Sequence, residues 1–157
     1  MNEIRLSLFI VLTLLSAAAF PQKPTKPAAK PAIHKPFKFK TQLGKNDKDA
    51  TVPLDEALQL VNFPLRVTDA TNDRCTIVSY HFMYKRKSLV ENEETGKKEI
   101  VFSTVGDTFK QTPLPQTWRD NLVEALKKDE ELYFFDIIAV DKYGRKTFAP
   151  DLKIKIE

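Results

Sequence analysis

The 157-residue chain is poor in the residues from which catalytic and metal sites are usually built. It has one cysteine, two histidines and four glycines. Because Cys75 is alone, an intramolecular disulfide framework is excluded, and we expect this cysteine to be a small buried hydrophobe. The sequence also lacks a G-x-S-x-G elbow, a G-x-x-x-x-G-K-[ST] phosphate loop and an H-E-x-x-H zinc pair. We therefore expect a non-catalytic protein with no cofactor and no metal.

The few remaining polar candidates are better explained as solvated surface residues than as catalytic or metal-binding groups. His34 lies in a segment rich in proline and lysine. His81 shares a predicted strand face with Ser79, but side chains two residues apart on a strand are about 7 Å apart, too far for a nucleophile and its base. The acidic clusters at residues 91–94 and 129–131 lack the spaced oxygens and turn glycine of a calcium loop. A hydrolase is thus the least favoured function.

The first 19 residues have the three zones of a cleavable signal peptide. A short basic start at Arg5 precedes an apolar run over residues 6–15, and small residues lead to a cleavage site near Ala19. The apolar run is shorter than the roughly 20 residues of a membrane-spanning helix. We expect a periplasmic or secreted protein that has no transmembrane segment after cleavage.

Residues 20–50 differ in composition from the rest of the chain. They carry eight lysines against Asp47 and Asp49, a net charge of +6, and prolines recur among them. Proline restricts the residue before it and the lysines repel one another, so a disordered tether sampling polyproline II is predicted. The alternative is a basic strip that makes weak contacts with an anionic partner or membrane surface. Nucleic acid is not an expected partner, because the chain is exported and the strip has no regularly interleaved aromatics.

Residues 51–157 have the patterning of one folded domain. A short helix is predicted over residues 52–61, and a main helix opens at two prolines after Thr112 and ends near residue 127. The apolar stripe of the main helix consists of Trp118, Leu122, Ala125 and Leu126. Short strands are predicted over residues 63–67, 76–85, 100–104, 132–140 and 152–156, with a polar hairpin loop over residues 85–98. On the second strand the predicted core face consists of Val78, Tyr80, Phe82 and Tyr84, and on the last strand the inward residues are Leu152, Ile154 and Ile156, with lysines between them. The predicted fold class is α+β, a small antiparallel sheet packed against one main helix, with an N-terminal short helix.

An ordered set of short patterns in this domain resembles a known family. They are Phe63-Pro64-Leu65-Arg66-Val67, Ile77-Val78-Ser79-Tyr80, Phe109 with the Thr112-Pro113 helix start, Leu132-Tyr133-Phe134-Phe135-Asp136-Ile137, the turn at Gly144, and Pro150-Asp151-Leu152-Lys153-Ile154-Lys155-Ile156. Their order and spacing resemble the C-terminal domain of GldM, a periplasmic component of the gliding-motility and type IX secretion machinery. The resemblance covers about two thirds of the chain and implies a sheet packed on one helix that docks against other envelope proteins. Full-length members of that family carry a transmembrane segment and several periplasmic domains. Here a signal peptide and a tether replace them, so the resemblance implies a freestanding copy.

One apolar group is the candidate interaction site. Phe134, Ile138 and Val140 are expected on the outer face of the strand after the main helix, where the family tends to have polar residues. An exposed apolar patch marks a partner site in a monomer. The alternative is that residues 37–61 fold back and cover this face, since apolar residues of a sheet usually find cover.

The favoured function is a non-catalytic adaptor that binds another envelope protein. A regulator or inhibitor of the secretion apparatus is the nearest alternative. A structural protein that self-assembles by edge-strand pairing stays open, because the strand at residues 100–104 can lie at a sheet edge.

Overall fold

A computed structural model of the chain describes residues 38–157. In this part, 51% of the residues lie in strands and 14% in helices. The elements follow in the order β1 (Lys40–Leu43), β2 (Ala50–Val52), α1 (Leu54–Leu60), β3 (Leu65–Thr68), β4 (Arg74–Glu91), β5 (Lys98–Phe109), α2 (Gln116–Ala125), β6 (Glu131–Val140), β7 (Lys146–Ala149) and β8 (Leu152–Ile156). The predicted signal peptide, residues 1–19, and residues 20–37 of the predicted tether lie outside the described residues.

The predicted α+β class with one main helix is wrong. The domain is a curled half-barrel of eight strands, and its helices have only seven and ten residues. The sheet is larger than expected because β4 has 18 residues and β5 has 12, and these strands include most of the segment predicted as a hairpin loop. The sheet is also mixed, since β2 pairs parallel with β8 while the other pairs are antiparallel.

The sheet curls because its two ends are adjacent in the chain. Along the path β1-β3-β4-β6-β8-β2, strands β1 and β2 are the two ends, and only residues 44–49 join them. Six residues span at most about 20 Å, so the ends stay close. The Asp49 carboxylate further accepts a hydrogen bond from the Lys153 N–H at 2.9 Å, which ties this connection to β8.

The core fills the concave side of the sheet and contains an aromatic cluster. The Phe82 ring lies 5.0 Å from Phe134 and 5.6 Å from Trp118, and Trp118 also packs edge-on against Phe109 at 5.7 Å. Trp118 is thus the partly buried anchor of α2 that its spacing predicts. Aromatic pairs at such separations contribute about 0.5–1.5 kcal/mol beyond the area they bury. These contacts hold α2 against the middle of β4.

β4 changes the face that it buries part way along its length. Cys75 is buried and Ile77 packs against the core, whereas the next core residues are Tyr80, Phe82 and Tyr84. The parity changes because the pairing with β6 shifts between Ile77 and Ser79 and again before His81. A bulge of this kind inserts a residue and bends the strand. The predicted aromatic core face is confirmed for these three aromatics, while Val78 is 37% exposed.

Several local predictions are confirmed at the two ends of the domain. The short first helix forms as α1, and on β8 Leu152, Ile154 and Ile156 are fully buried while the lysines between them are exposed. Gly144 has a positive φ of 80° in the turn before β7, a conformation that glycine adopts at low cost. β1 and the first residue of β2 lie inside the range 20–50 assigned to the tether, so the strands of the folded part begin before residue 51.

Candidate functional site

The long β4–β5 hairpin extends past the rest of the sheet. The pairing of β4 with β6 ends at Lys85, which lies opposite Glu131. The pairing of β4 with β5 continues from Arg86 opposite Ser103 to the end of β4. We call this two-stranded extension, residues 86–103, the arm. Its tip is closed by Asn92, whose side-chain oxygen accepts hydrogen bonds from two backbone N–H groups, both at 3.0 Å.

The arm exposes large apolar side chains on both of its faces. Their exposed fractions are 62% for Leu89, 49% for Val90, 56% for Ile100, 45% for Val101 and 46% for Phe102. Leu89 lies opposite Ile100 on one face, and the neighbouring pairs place Val90 and Val101 on the other. A two-stranded hairpin that buries neither face is marginally stable in water. Contiguous exposed apolar surface of this kind marks an interaction site.

The base of the arm is fixed by one buried carboxylate. Glu130 is 0% exposed and accepts hydrogen bonds from the Lys87 N–H at 2.9 Å, the Lys127 N–H at 2.7 Å and the Tyr84 hydroxyl. Burial, followed by the hydrogen bond to Glu130, raises the pKa of Tyr84 above its usual value. Charge-assisted bonds of this type are among the stronger ones in proteins. Glu130 therefore links the arm to the segment between α2 and β6.

Charged groups surround the arm where it leaves the body. The Lys87 ammonium lies 2.7 Å from the Asp129 carboxylate, and this hydrogen bond holds the pKa of Asp129 below its usual value. The Lys85 ammonium lies 4.9 Å from the Phe102 ring centre. A hollow of about 530 Å³ opens between these groups, with both Ile100 and Phe102 in its wall. The arm thus combines apolar side chains with a rim of charges of both signs, as protein interfaces do.

The structure separates the three residues predicted as an interaction site. Phe134 is 3% exposed and belongs to the aromatic core, so it is not on the outer face. The alternation along β6 breaks at Asp136, whose φ is 48°, and Phe134 and Ile137 both point inward on either side of it. Ile138 and Val140 do lie on the outer face and are half-buried.

The two outer-face residues adjoin a further exposed aromatic. Ile138 lies directly opposite Phe148 on β7, and Phe148 is 71% exposed. The alternative that residues 37–61 cover this face finds no support in the described part of that range, because β1, β2 and α1 contribute their buried side chains to the core. Ile138, Val140 and Phe148 form what we call the outer patch, which is smaller than the apolar surface of the arm.

A second cleft lies beside α1 and has a volume of about 540 Å³. Its apolar wall includes Leu60 and the half-exposed Phe63. The charges at its rim are partly satisfied within the chain, since the Lys45 ammonium lies 3.0 Å from the Glu56 carboxylate. Phe63 is 47% exposed and Leu60 is buried, whereas the arm exposes five large apolar side chains.

His81, one of the polar candidates from the sequence, lies on β4 between β5 and β6. The His81 Nδ1 lies 3.1 Å from the Thr108 hydroxyl, and the His81 ring stacks on Phe135 at 5.2 Å. Among residues 38–157, no group of three His, Cys, Asp or Glu side chains is placed to hold a metal ion. Within the same residues, no helix is long and apolar enough to cross a membrane.

The arm was missed in the sequence because its charges obscured the strand pattern. Arg86-Lys87 and Lys97-Lys98 flank the apolar residues and led to the prediction of a polar loop. The available signal was the pair of runs Leu89-Val90 and Ile100-Val101-Phe102, which are rich in β-branched and aromatic residues and enclose a turn with Asn92 and Gly96.

No protein-family model matches the chain, and no curated protein matches it significantly. The resemblance to the C-terminal domain of GldM stays a prediction from sequence patterns.

Proposed function

We propose that this chain is a non-catalytic, extracytoplasmic interaction module that docks on another cell-envelope protein through the apolar faces of the arm. The observation that carries the proposal is the exposure of five large apolar side chains, between 45% and 62% each, on a two-stranded extension. The extracytoplasmic location rests on the predicted signal peptide, and the envelope partner rests on the GldM resemblance.

The apolar side chains of the arm would supply part of the free energy of association. Fully burying one such side chain stabilises a complex by about 1.5–3 kcal/mol, and these five are roughly half exposed. Covering them would contribute on the order of 5 kcal/mol before the costs of association. Because association itself costs about 4 kcal/mol or more, a stable complex also needs hydrogen bonds and further contacts across the interface.

The anchoring of the arm lowers the cost of binding. The arm is held at its base by the Lys87 N–H bond to Glu130 and by the Lys87–Asp129 ion pair. A surface that is already ordered loses less conformational entropy when a partner covers it. These two contacts therefore lower this cost for the part of the arm next to the body.

Affinity capture from solubilised envelope of the source cell at physiological salt tests the proposal. The wild type should retain a defined envelope protein, and the double variant Leu89→Thr, Phe102→Thr should lose it. Threonine keeps strand propensity, and both replaced side chains are exposed, so the fold should remain intact by circular dichroism. Val123→Thr is the control, because it also replaces an exposed apolar side chain with threonine but lies on α2. Val123 is 43% exposed, and this variant should retain the partner.

Two results would contradict the proposal. One is capture that survives the double arm variant. The other is capture that is lost in Phe148→Thr and retained in the arm variant, because that result would place docking on the outer patch.

A further inference from the structure

The outer edge of β5 presents an unpaired row of backbone groups. Within the described residues β5 pairs with β4 alone, over all 12 of its residues. Natural proteins usually protect such an edge with prolines, bulges, inward charges or a covering segment. From Ile100 to Gly106 the strand has no proline, no charge and no break in its register with β4.

The hydrogen bonds at the tip fix which groups face outward. The Asn92 N–H donates to the Lys97 carbonyl at 2.9 Å, so Asn92 and Lys97 form a hydrogen-bonded position of the ladder. Bonded and non-bonded positions alternate along an antiparallel pair. The odd-numbered residues of β5 therefore bond β4, and the even-numbered residues direct their N–H and C=O groups to the free edge. Ile100, Phe102 and Thr104 belong to the second set.

We propose that the free edge of β5 pairs antiparallel with β5 of a second copy of this chain, around a twofold axis at Val101. This register places Ile100 opposite Phe102 of the second copy, Glu99 opposite Ser103 and Lys98 opposite Thr104. About eight backbone hydrogen bonds form, because the even-numbered residues make bonded pairs. The two arms become a continuous four-stranded sheet, which overcomes the marginal stability of a two-stranded one.

The side chains of β5 favour this register, and they favour a second copy of the chain as the pairing strand. The apolar run at residues 100–102 meets itself, and no like charges stand directly opposite each other. Moving the axis to Ser103 would oppose Glu99 and Asp107, which is destabilising. The interface is isologous, so it closes as a dimer.

The inference goes beyond the proposed function, because it uses the edge of the arm whereas partner docking uses its faces. Pairing the edges leaves Leu89, Ile100 and Phe102 of both copies on one continuous face. A dimer would therefore enlarge the apolar surface that is offered to a partner.

Light scattering with size-exclusion chromatography on the purified chain tests the stoichiometry. The wild type should be a dimer at micromolar concentration. Val101→Lys should weaken dimerisation by more than about tenfold, because it places two ammonium groups opposite each other. Val123→Lys, a replacement of an equally exposed valine on α2, should leave the dimer unchanged.

Two further variants test the register and the backbone pairing. At the axis, Val101 is a non-bonded position with a Cα–Cα separation of about 4.5 Å, within the range of a disulfide. Val101→Cys should form an intermolecular disulfide on oxidation. Ser103→Cys should not, because two residues 103 lie about 13 Å apart along the strands. Thr104→Pro removes an outward N–H and should weaken the dimer while leaving the thermal unfolding of the monomer unchanged.

A chain that stays monomeric at all accessible concentrations would overturn the inference. A dimer that resists Val101→Lys, or that crosslinks equally well through Ser103→Cys, would overturn the register. The two proposals fail separately. Partner capture by a monomeric chain would refute only the proposed dimer. A dimer that captures no envelope protein would refute only the proposed docking function.

Discussion

Replacing Glu130 by glutamine should destabilise the domain and loosen the arm. Glutamine keeps the shape of glutamate but replaces one acceptor oxygen with an NH₂ donor. Glu130 is fully buried and receives three donors, from Tyr84, Lys87 and Lys127. In either orientation of the amide, at least one backbone N–H then faces another donor.

The size of the effect follows from the number of bonds. A hydrogen bond to a charged group contributes about 1.5–3 kcal/mol, and a buried donor without a partner carries its full desolvation cost. We expect Glu130→Gln to lower the free energy of unfolding by about 2–3 kcal/mol and Glu130→Ala by about 5 kcal/mol. The alanine variant leaves the Lys87 and Lys127 N–H groups without this acceptor, while the Tyr84 hydroxyl keeps only the Ala125 carbonyl at 3.3 Å. For a small domain with a total of about 5–15 kcal/mol, the second change is severe.

Urea unfolding followed by tryptophan fluorescence measures both effects. With a slope of about 1–3 kcal/mol per molar, the midpoint of Glu130→Gln should fall by about 1–2 M. Glu131→Gln is the control, because Glu131 is half-buried and makes only a 3.5 Å ion pair with Lys85, of a kind worth about 0–1 kcal/mol. Amide exchange at the arm should also accelerate in Glu130→Gln. A midpoint equal to that of the control would refute the structural role of this carboxylate.

Two further perturbations test other parts of the fold. Gly106→Ala should lower the free energy of unfolding by about 1–3 kcal/mol, because its Cβ would overlap the Phe82 carbonyl oxygen. An unchanged free energy of unfolding would show that β5 shifts freely. Hydrogen bonds from Lys142 and then Thr71 hold the pKa of Asp73 below its ordinary 3.8, so Asp73 stabilises the fold above that pH and this stabilisation is lost as the pH falls below it. The thermal midpoints of wild type and Asp73→Asn should therefore differ at neutral pH and converge below about pH 3.8, and a constant difference would contradict the assignment.

The sequence predicted the elements whose periodicity is regular. The alternation of Leu152, Ile154 and Ile156 with lysines identified β8 and its buried face. The spacing of Trp118 and Leu122 identified α2 and its packing side. These patterns are local, and the side-chain period of a strand or helix is a direct consequence of its geometry.

The fold class and the arm depended on information that is not local. The bulge in β4 and the positive φ of Asp136 each reverse the side-chain parity within a strand, so unbroken alternation assigned Phe134 to the wrong face. The length of β4 depends on its pairing with β5, which continues beyond Lys85, where the pairing of β4 with β6 stops at Glu131. The sequence alone does not show this pairing, so the flanking lysines and arginine led to the prediction of a solvated loop over residues 85–98.

The composition of β5 supports the proposal that its free edge pairs with another strand. Its charged residues, Lys98, Glu99 and Asp107, lie near the two ends of the strand, and the residues between them are apolar or small. If this edge had to remain free, a lysine within the uncharged stretch would prevent another strand from pairing with it. Val101 lies within this uncharged stretch, is 45% exposed and lies opposite Ser88, so a lysine there would meet no steric obstacle. Burial of Val101 in a dimer accounts for an apolar residue at this position, and the Val101→Lys variant separates that explanation from chance.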